Sequence, residues 1–127
     1  MKINLIYLDS RRGKSHMPLG LAYIAASVVN AGHHVEIMPC ETFHYDPGHI
    51  FKRIYETEAE IFGITAMFTE IDLTIDMVNN IKSIKKDALV ILGGILPTTV
   101  PEFALRKTNA DIAVKGEAEL TIVALLN

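Results

Sequence analysis

Ala88-Leu89-Val90-Ile91-Leu92-Gly93-Gly94 is five apolar residues without alternation, stopped by two glycines. A short continuous apolar run of this kind reads as a strand covered on both faces, the pattern of a parallel sheet. Immediately upstream, Glu70 to Lys85 carries Ile71, Ile75, Val78, Ile81 and Ile84 at helical spacing, and before that Ile61-Phe62-Gly63-Ile64-Thr65 is another short apolar run. Downstream, Val100 to Arg106 reads as a short helix, Asp111 to Lys115 as a strand, and Glu117 to Leu126 as a helix.

The same alternation extends back to the N-terminus. Ile3 to Leu8 is a near-continuous apolar run stopped by Asp9-Ser10. After a polar loop, Pro18 stands where a first-turn proline would, and Leu21, Ile24, Ala25, Val28 and Val29 follow at helical spacing up to Gly32. His33 to Met38 supplies the second strand, and Pro47 to Glu58 a second helix with apolar positions at Ile50, Phe51, Ile54 and Tyr55. Five strand–helix units in sequence predict an α/β fold: a doubly wound, five-stranded parallel sheet with helices on both faces and right-handed crossovers. At this length the expected strand order is the flavodoxin-like 2-1-3-4-5, whose ligand crevice lies outside the carboxyl ends of the strands. The loops after Leu8, Thr65, Leu92 and Lys115 are therefore the places to look for function.

Composition narrows the function classes. The 127 residues suit a single domain, 1–127, and 50% apolar with 21% charged residues is an ordinary globular balance. A net charge of −3 gives no electrostatic basis for binding nucleic acid. One cysteine, Cys40, can form neither an internal disulfide nor a Cys-based metal site; just after the second strand it reads as a half-buried core-edge residue. The apolar start is too short for a signal peptide, and no run approaches the roughly 20 apolar residues of a membrane helix, so a cytoplasmic location is expected.

The edge loops hold the candidate chemistry. Asp9-Ser10-Arg11-Arg12-Gly13-Lys14-Ser15-His16-Met17-Pro18-Leu19-Gly20 gathers cations, hydroxyls and an imidazole; position 8 is Leu where a Walker phosphate loop needs glycine, so a nucleoside triphosphatase is rejected. A solvated loop accounts equally for its charges. Thr65-Ala66-Met67-Phe68-Thr69 sets large apolar residues beside hydroxyls, suited either to covering a flat organic ligand or to capping the core. Gly93-Gly94, ahead of Ile95-Leu96-Pro97-Thr98-Thr99, permits close backbone approach of a ligand or a tight reversal of the chain. Gly116-Glu117-Ala118-Glu119 opens the last helix, where acids either complement the helix dipole or accept hydrogen bonds from ligand amides.

In order along the chain, Met17-Pro18-Leu19-Gly20-Leu21-Ala22-Tyr23-Ile24-Ala25-Ala26, Gly32-His33-His34-Val35, Gly93-Gly94 with Pro97-Thr98, Pro101-Glu102 and Gly116-Glu117-Ala118-Glu119 resemble the N-terminal cobalamin-binding domain of B12-dependent radical SAM proteins. The resemblance implies a Rossmann-like domain holding cobalamin against the sheet edge. Ser10 and Leu19 would contribute from the first loop; Thr65, Met67, Phe68 and Thr69 would line one side of the corrin. Gly93, Gly94, Ile95 and Thr98 would take the nucleotide tail or corrin amides, with Gly116, Glu117 and Glu119 bordering the same pocket.

Two departures shape the expectation. Other cobalamin domains carry D-x-H-x-x-G after the first strand, with imidazole as lower cobalt ligand; here Lys14 precedes His16 by two positions and Leu19 follows it by three. His16 is then a candidate cobalt ligand outside the usual motif, or a surface histidine. The three-cysteine motif of radical SAM chemistry is missing, so this chain would not be catalytic alone. A radical SAM domain C-terminal to Asn127 would supply the [4Fe-4S] cluster, S-adenosylmethionine and the small-molecule substrate pocket, for methyl transfer or oxidative cyclisation. The last helix runs to Leu126-Asn127 without a stop signal, in keeping with an N-terminal module of a longer protein. The alternative is a cofactor-free flavodoxin-like scaffold or interaction domain. A phosphoacceptor receiver is disfavoured, because Asp9 lacks an acidic neighbour and the third strand ends in Thr65.

Overall fold

The computed structural model describes residues 1–9, 18–41 and 47–127. Strands β1 (Lys2–Asp9), β2 (His34–Glu41), β3 (Ile61–Thr65), β4 (Leu89–Gly93) and β5 (Ile112–Ala113) form one sheet in the order β2-β1-β3-β4-β5. Every pairing is parallel, as the apolar runs predict. The helices are α1 (Leu19–Asn30), α2 (Pro47–Glu56), α3 (Ile71–Ile84), α4 (Ile95–Thr99), α5 (Pro101–Thr108) and α6 (Glu119–Leu126).

Strand parity divides the core into two layers. Ile6, Leu8, Phe62, Ile64, Val90 and Leu92 point to the side covered by α2 to α5, where Ile54, Met77, Val78, Ile81, Leu96 and Ala104 meet them. Ile3, Leu5, Tyr7, Ile61 and Ile91 point to the other side, against Leu21 and Val28 of α1 and Ile122 and Leu126 of α6. Helices thus cover both faces, which keeps the continuous apolar runs out of water.

The differences from expectation have local causes. In α2, Ile50 and Ile54 are buried but Phe51 and Tyr55 face solvent, because a helix lying on a sheet buries only one stripe. The segment expected as a strand over 111–115 is regular only at Ile112–Ala113, although the amides of Asp111 and Val114 still donate to Val90 and Leu92 of β4. Residues 95–99 form a helix of their own, α4, since proline is tolerated within a first helical turn. The chain then breaks at Val100, where φ −136 and ψ 67 are not helical, and restarts with Pro101 leading α5. That helix runs to Thr108, ending on the left-handed Asn109 at φ 62. Cys40 is fully buried at the carboxyl end of β2.

Candidate functional site

A cavity of about 380 Å³ opens at the carboxyl edge and runs down between the sheet and the helices α1 and α6. Its origin lies in strand parity. Gly63 of β3 and Gly93 of β4 fall on the α1/α6 side, since they are two residues from Ile61 and Ile91 of that layer. The side chain missing at Gly93 leaves space that the helices do not fill, while the one missing at Gly63 is made up by a neighbour. Over Gly63, a Cβ would stand 2.8 Å from Cδ2 of Leu5, which leans into the vacant position; at Gly93 a Cβ would meet nothing within 4 Å.

Gly94 serves another purpose. It adopts φ +98, and a Cβ there would lie 2.9 Å from the Ala66 carbonyl oxygen. This contact holds the β3 and β4 loops together: the Ala66 amide donates to Gly93 O at 2.8 Å and the Leu96 amide to Ala66 O at 3.1 Å. The chain's own backbone approaches Gly94 on this side. At the mouth, the Gly116 amide donates to Thr98 Oγ1 at 3.0 Å, tying α4 to the turn that leads into α6.

Seven of the residues singled out from sequence line this one cavity: Leu19, Thr65, Gly93, Gly94, Gly116, Glu117 and Glu119. Met67 and Phe68 are 41% and 49% exposed, so they do not cap the core; with Ile95, also exposed, they present apolar surface at the edge beyond the cavity. Thr69 is exposed, and its hydroxyl donates to the Glu70 carboxylate. Thr98 borders the mouth through its bond to Gly116. Ser10 and His16 lie outside the described residues.

The interior was not anticipated. Leu5, Ile24, Ile91, Val114 and Ile122 form the deeper walls, with Tyr23 nearer solvent. One signal for it was present in the sequence: Gly63, a glycine within an apolar strand, marks a place where another group approaches the backbone. The arrangement offers a ligand an apolar slot, glycine backbone at its rim, and two carboxylates at the head of α6. Small-molecule sites span about 300–1,000 Å³, and the slot falls within that range. Among the described residues no three His, Cys, Asp or Glu side chains cluster as a metal site, and no helix is long and apolar enough to cross a membrane.

The chain is 33% identical over 116 residues to the uncharacterized methyltransferase PH0819 of Pyrococcus horikoshii, a match covering 91% of this chain and 25% of that protein. Its fold matches the radical S-adenosylmethionine methyltransferase TsrM of Kitasatospora setae, solved with cobalamin and a [4Fe-4S] cluster, at a TM-score of 0.83 and 20% identity. That match covers 97% of this chain and 25% of TsrM. It also matches a cobalamin-binding protein from Desulfitobacterium hafniense at a TM-score of 0.73 and 20% identity, over 98% of this chain and 57% of that one. The chain thus spans about a quarter of the length of the two methyltransferases. At 20% identity the structural matches establish the fold, while the family assignment rests on residues 6–126, which match the B12 binding domain. The chain belongs to the B12-binding domain family.

Proposed function

We propose that the chain binds cobalamin with the corrin lying across the carboxyl edge and the nucleotide tail entering the slot under α1 and α6. The observation that carries this is the cavity itself: open at the sheet edge, apolar in its depth, of a size for a nucleotide base with its sugar, and unfilled beside Gly93, which brings no side chain to that layer. The exposed Met67, Phe68 and Ile95 give the macrocycle apolar cover beside that mouth. Glu117 and Glu119 accept hydrogen bonds from the amide groups that fringe it. When bound, cobalamin supplies a cobalt centre suited to carrying a methyl group, and the protein's part is binding, orientation and exclusion of water.

The methyltransferase relatives support placing the chain in a longer protein, with a radical SAM domain joined after Asn127 that holds a [4Fe-4S] cluster, S-adenosylmethionine and the small-molecule substrate. The setting is cytoplasmic. Mixing the purified chain with hydroxocobalamin and desalting tests the core of the proposal. A coloured protein with a corrinoid spectrum is expected; a folded but colourless one overturns it.

A further inference from the structure

We infer that the slot under α1 and α6 selects among cobamides by the base at the end of their nucleotide tail, favouring benzimidazole and phenolic bases over purines. The inference rests on the cobalamin reading and adds to it a chemical specificity.

The deep walls given by described residues are Leu5, Ile24, Ile91, Val114 and Ile122, and none of these side chains carries a hydrogen-bonding group. The floor is the sheet itself, where Gly63 stands between Leu5 and Ile91 and the backbone amides and carbonyls are engaged in the ladders of the sheet. Among the described residues the polar side chains of the lining stand toward the mouth: Tyr23 of α1, which is exposed, Thr65 at the end of β3, and Glu117 and Glu119 at the head of α6. A purine carries several ring nitrogens and, in adenine, an exocyclic amine, all hydrated in water and left unpartnered at this depth. Such groups make burial costly. A benzimidazole has one free ring nitrogen, which a single group near the mouth can satisfy. A phenolic base, joined through its oxygen, has none.

The test is a set of titrations of the full chain, followed by absorbance, with four corrinoids: cobinamide, which lacks the nucleotide, and cobamides bearing dimethylbenzimidazole, cresol or adenine. Cobalamin and the cresolyl form are expected to bind at least roughly tenfold more tightly than the adeninyl form, with cobinamide weakest. Gly63→Val brings a branched side chain against Leu5 and pushes that wall into the slot; it is expected to bring cobalamin down toward the affinity of cobinamide, which has no nucleotide to place there. Val114→Thr keeps the shape of its wall and adds a hydroxyl; it is expected to narrow the gap between the adeninyl and dimethylbenzimidazolyl forms, and serves if Gly63→Val does not fold. Equal affinities for those two forms in the unaltered chain overturn the selectivity and leave cobalamin binding standing. Equal affinities for cobinamide and cobalamin put the tail outside the slot and overturn it too. Failure to bind any corrinoid overturns the cobalamin reading itself.

Discussion

A methyl group added at Gly94 would meet the Ala66 carbonyl oxygen at 2.9 Å, in a backbone conformation that side chains rarely adopt. The neighbour that would have to yield is main chain, so the strain cannot be relieved by a rotamer change. Gly94→Ala is expected to destabilise the fold by about 1–3 kcal/mol from the backbone conformation alone, with the clash adding to it. Gly93→Ala puts its methyl in open cavity, so its melting temperature should stay near that of the unaltered chain while cobalamin affinity falls. Thermal denaturation and corrinoid titration of the two variants check this, and a Gly94→Ala protein as stable as the parent would refute the structural role. Cys40 makes a second case at this scale. Burial pushes its thiol up to about 12, against a smaller opposing pull from Arg53. Near neutral pH it is a thiol, not a thiolate, and the thiolate is the reactive form. Alkylation at mildly alkaline pH should be slow in the folded chain and fast once denaturant is added; equal rates would place Cys40 at an accessible surface.

Elements show how far the sequence could be read. Type and order of the strands followed from apolar runs bounded by polar loops, and the pairing order from their number and length. The carboxyl-edge loops were legible because the doubly wound topology brings them together. The slot was not, because it lies where Gly93 brings no side chain to one layer of a sheet whose register, Gly63 against Ile91 and Thr65 against Gly93, exists only once the strands are assembled. Helix α4 was not anticipated as a separate element: Pro97 lies inside its turn while Pro101 starts α5, a difference that only the folded backbone shows. The turn into α6 depends on such a contact between elements: Thr98 of α4 accepts the Gly116 amide. Thr98→Val keeps the shape and removes the acceptor, at an expected cost of about 0.5–1.5 kcal/mol. Hydrogen exchange at the Gly116 amide should accelerate in that variant, and unchanged protection would mean the turn is held by other contacts.

Across the whole molecule, the two ends of the sheet carry different duties. The carboxyl edge bears the slot, and the amino edge bears a polar fastening centred on Glu36. Lys2 Nζ lies 2.8 Å from Glu36 Oε1, while the Thr57 hydroxyl and the Asn4 amide both donate to Oε2. The hydrogen bond from Lys2 first, and that from Thr57 next, hold the Glu36 carboxyl below its usual 4.5. Since the folded state then binds the proton less readily than the unfolded chain, this contribution is complete above about pH 4.5 and is lost as pH falls through the lower folded value. Glu36→Gln should therefore melt lower than the parent near neutrality, with the two curves converging as pH falls below about 4.5. The fastening lies on the face of the sheet opposite the slot, level with Asn4, Phe62 and Val90, and Gly94 stands four residues further along and three strands across, about 20 Å away. Sites separated beyond 7–10 Å act independently. Glu36→Gln should then leave cobalamin affinity unchanged, and its stability loss should add to that of Gly94→Ala within about 0.5 kcal/mol. Curves that stay parallel through the acid range would remove Glu36 from the acid limb, and a weakened corrinoid complex in Glu36→Gln would show that the two ends are coupled through the sheet.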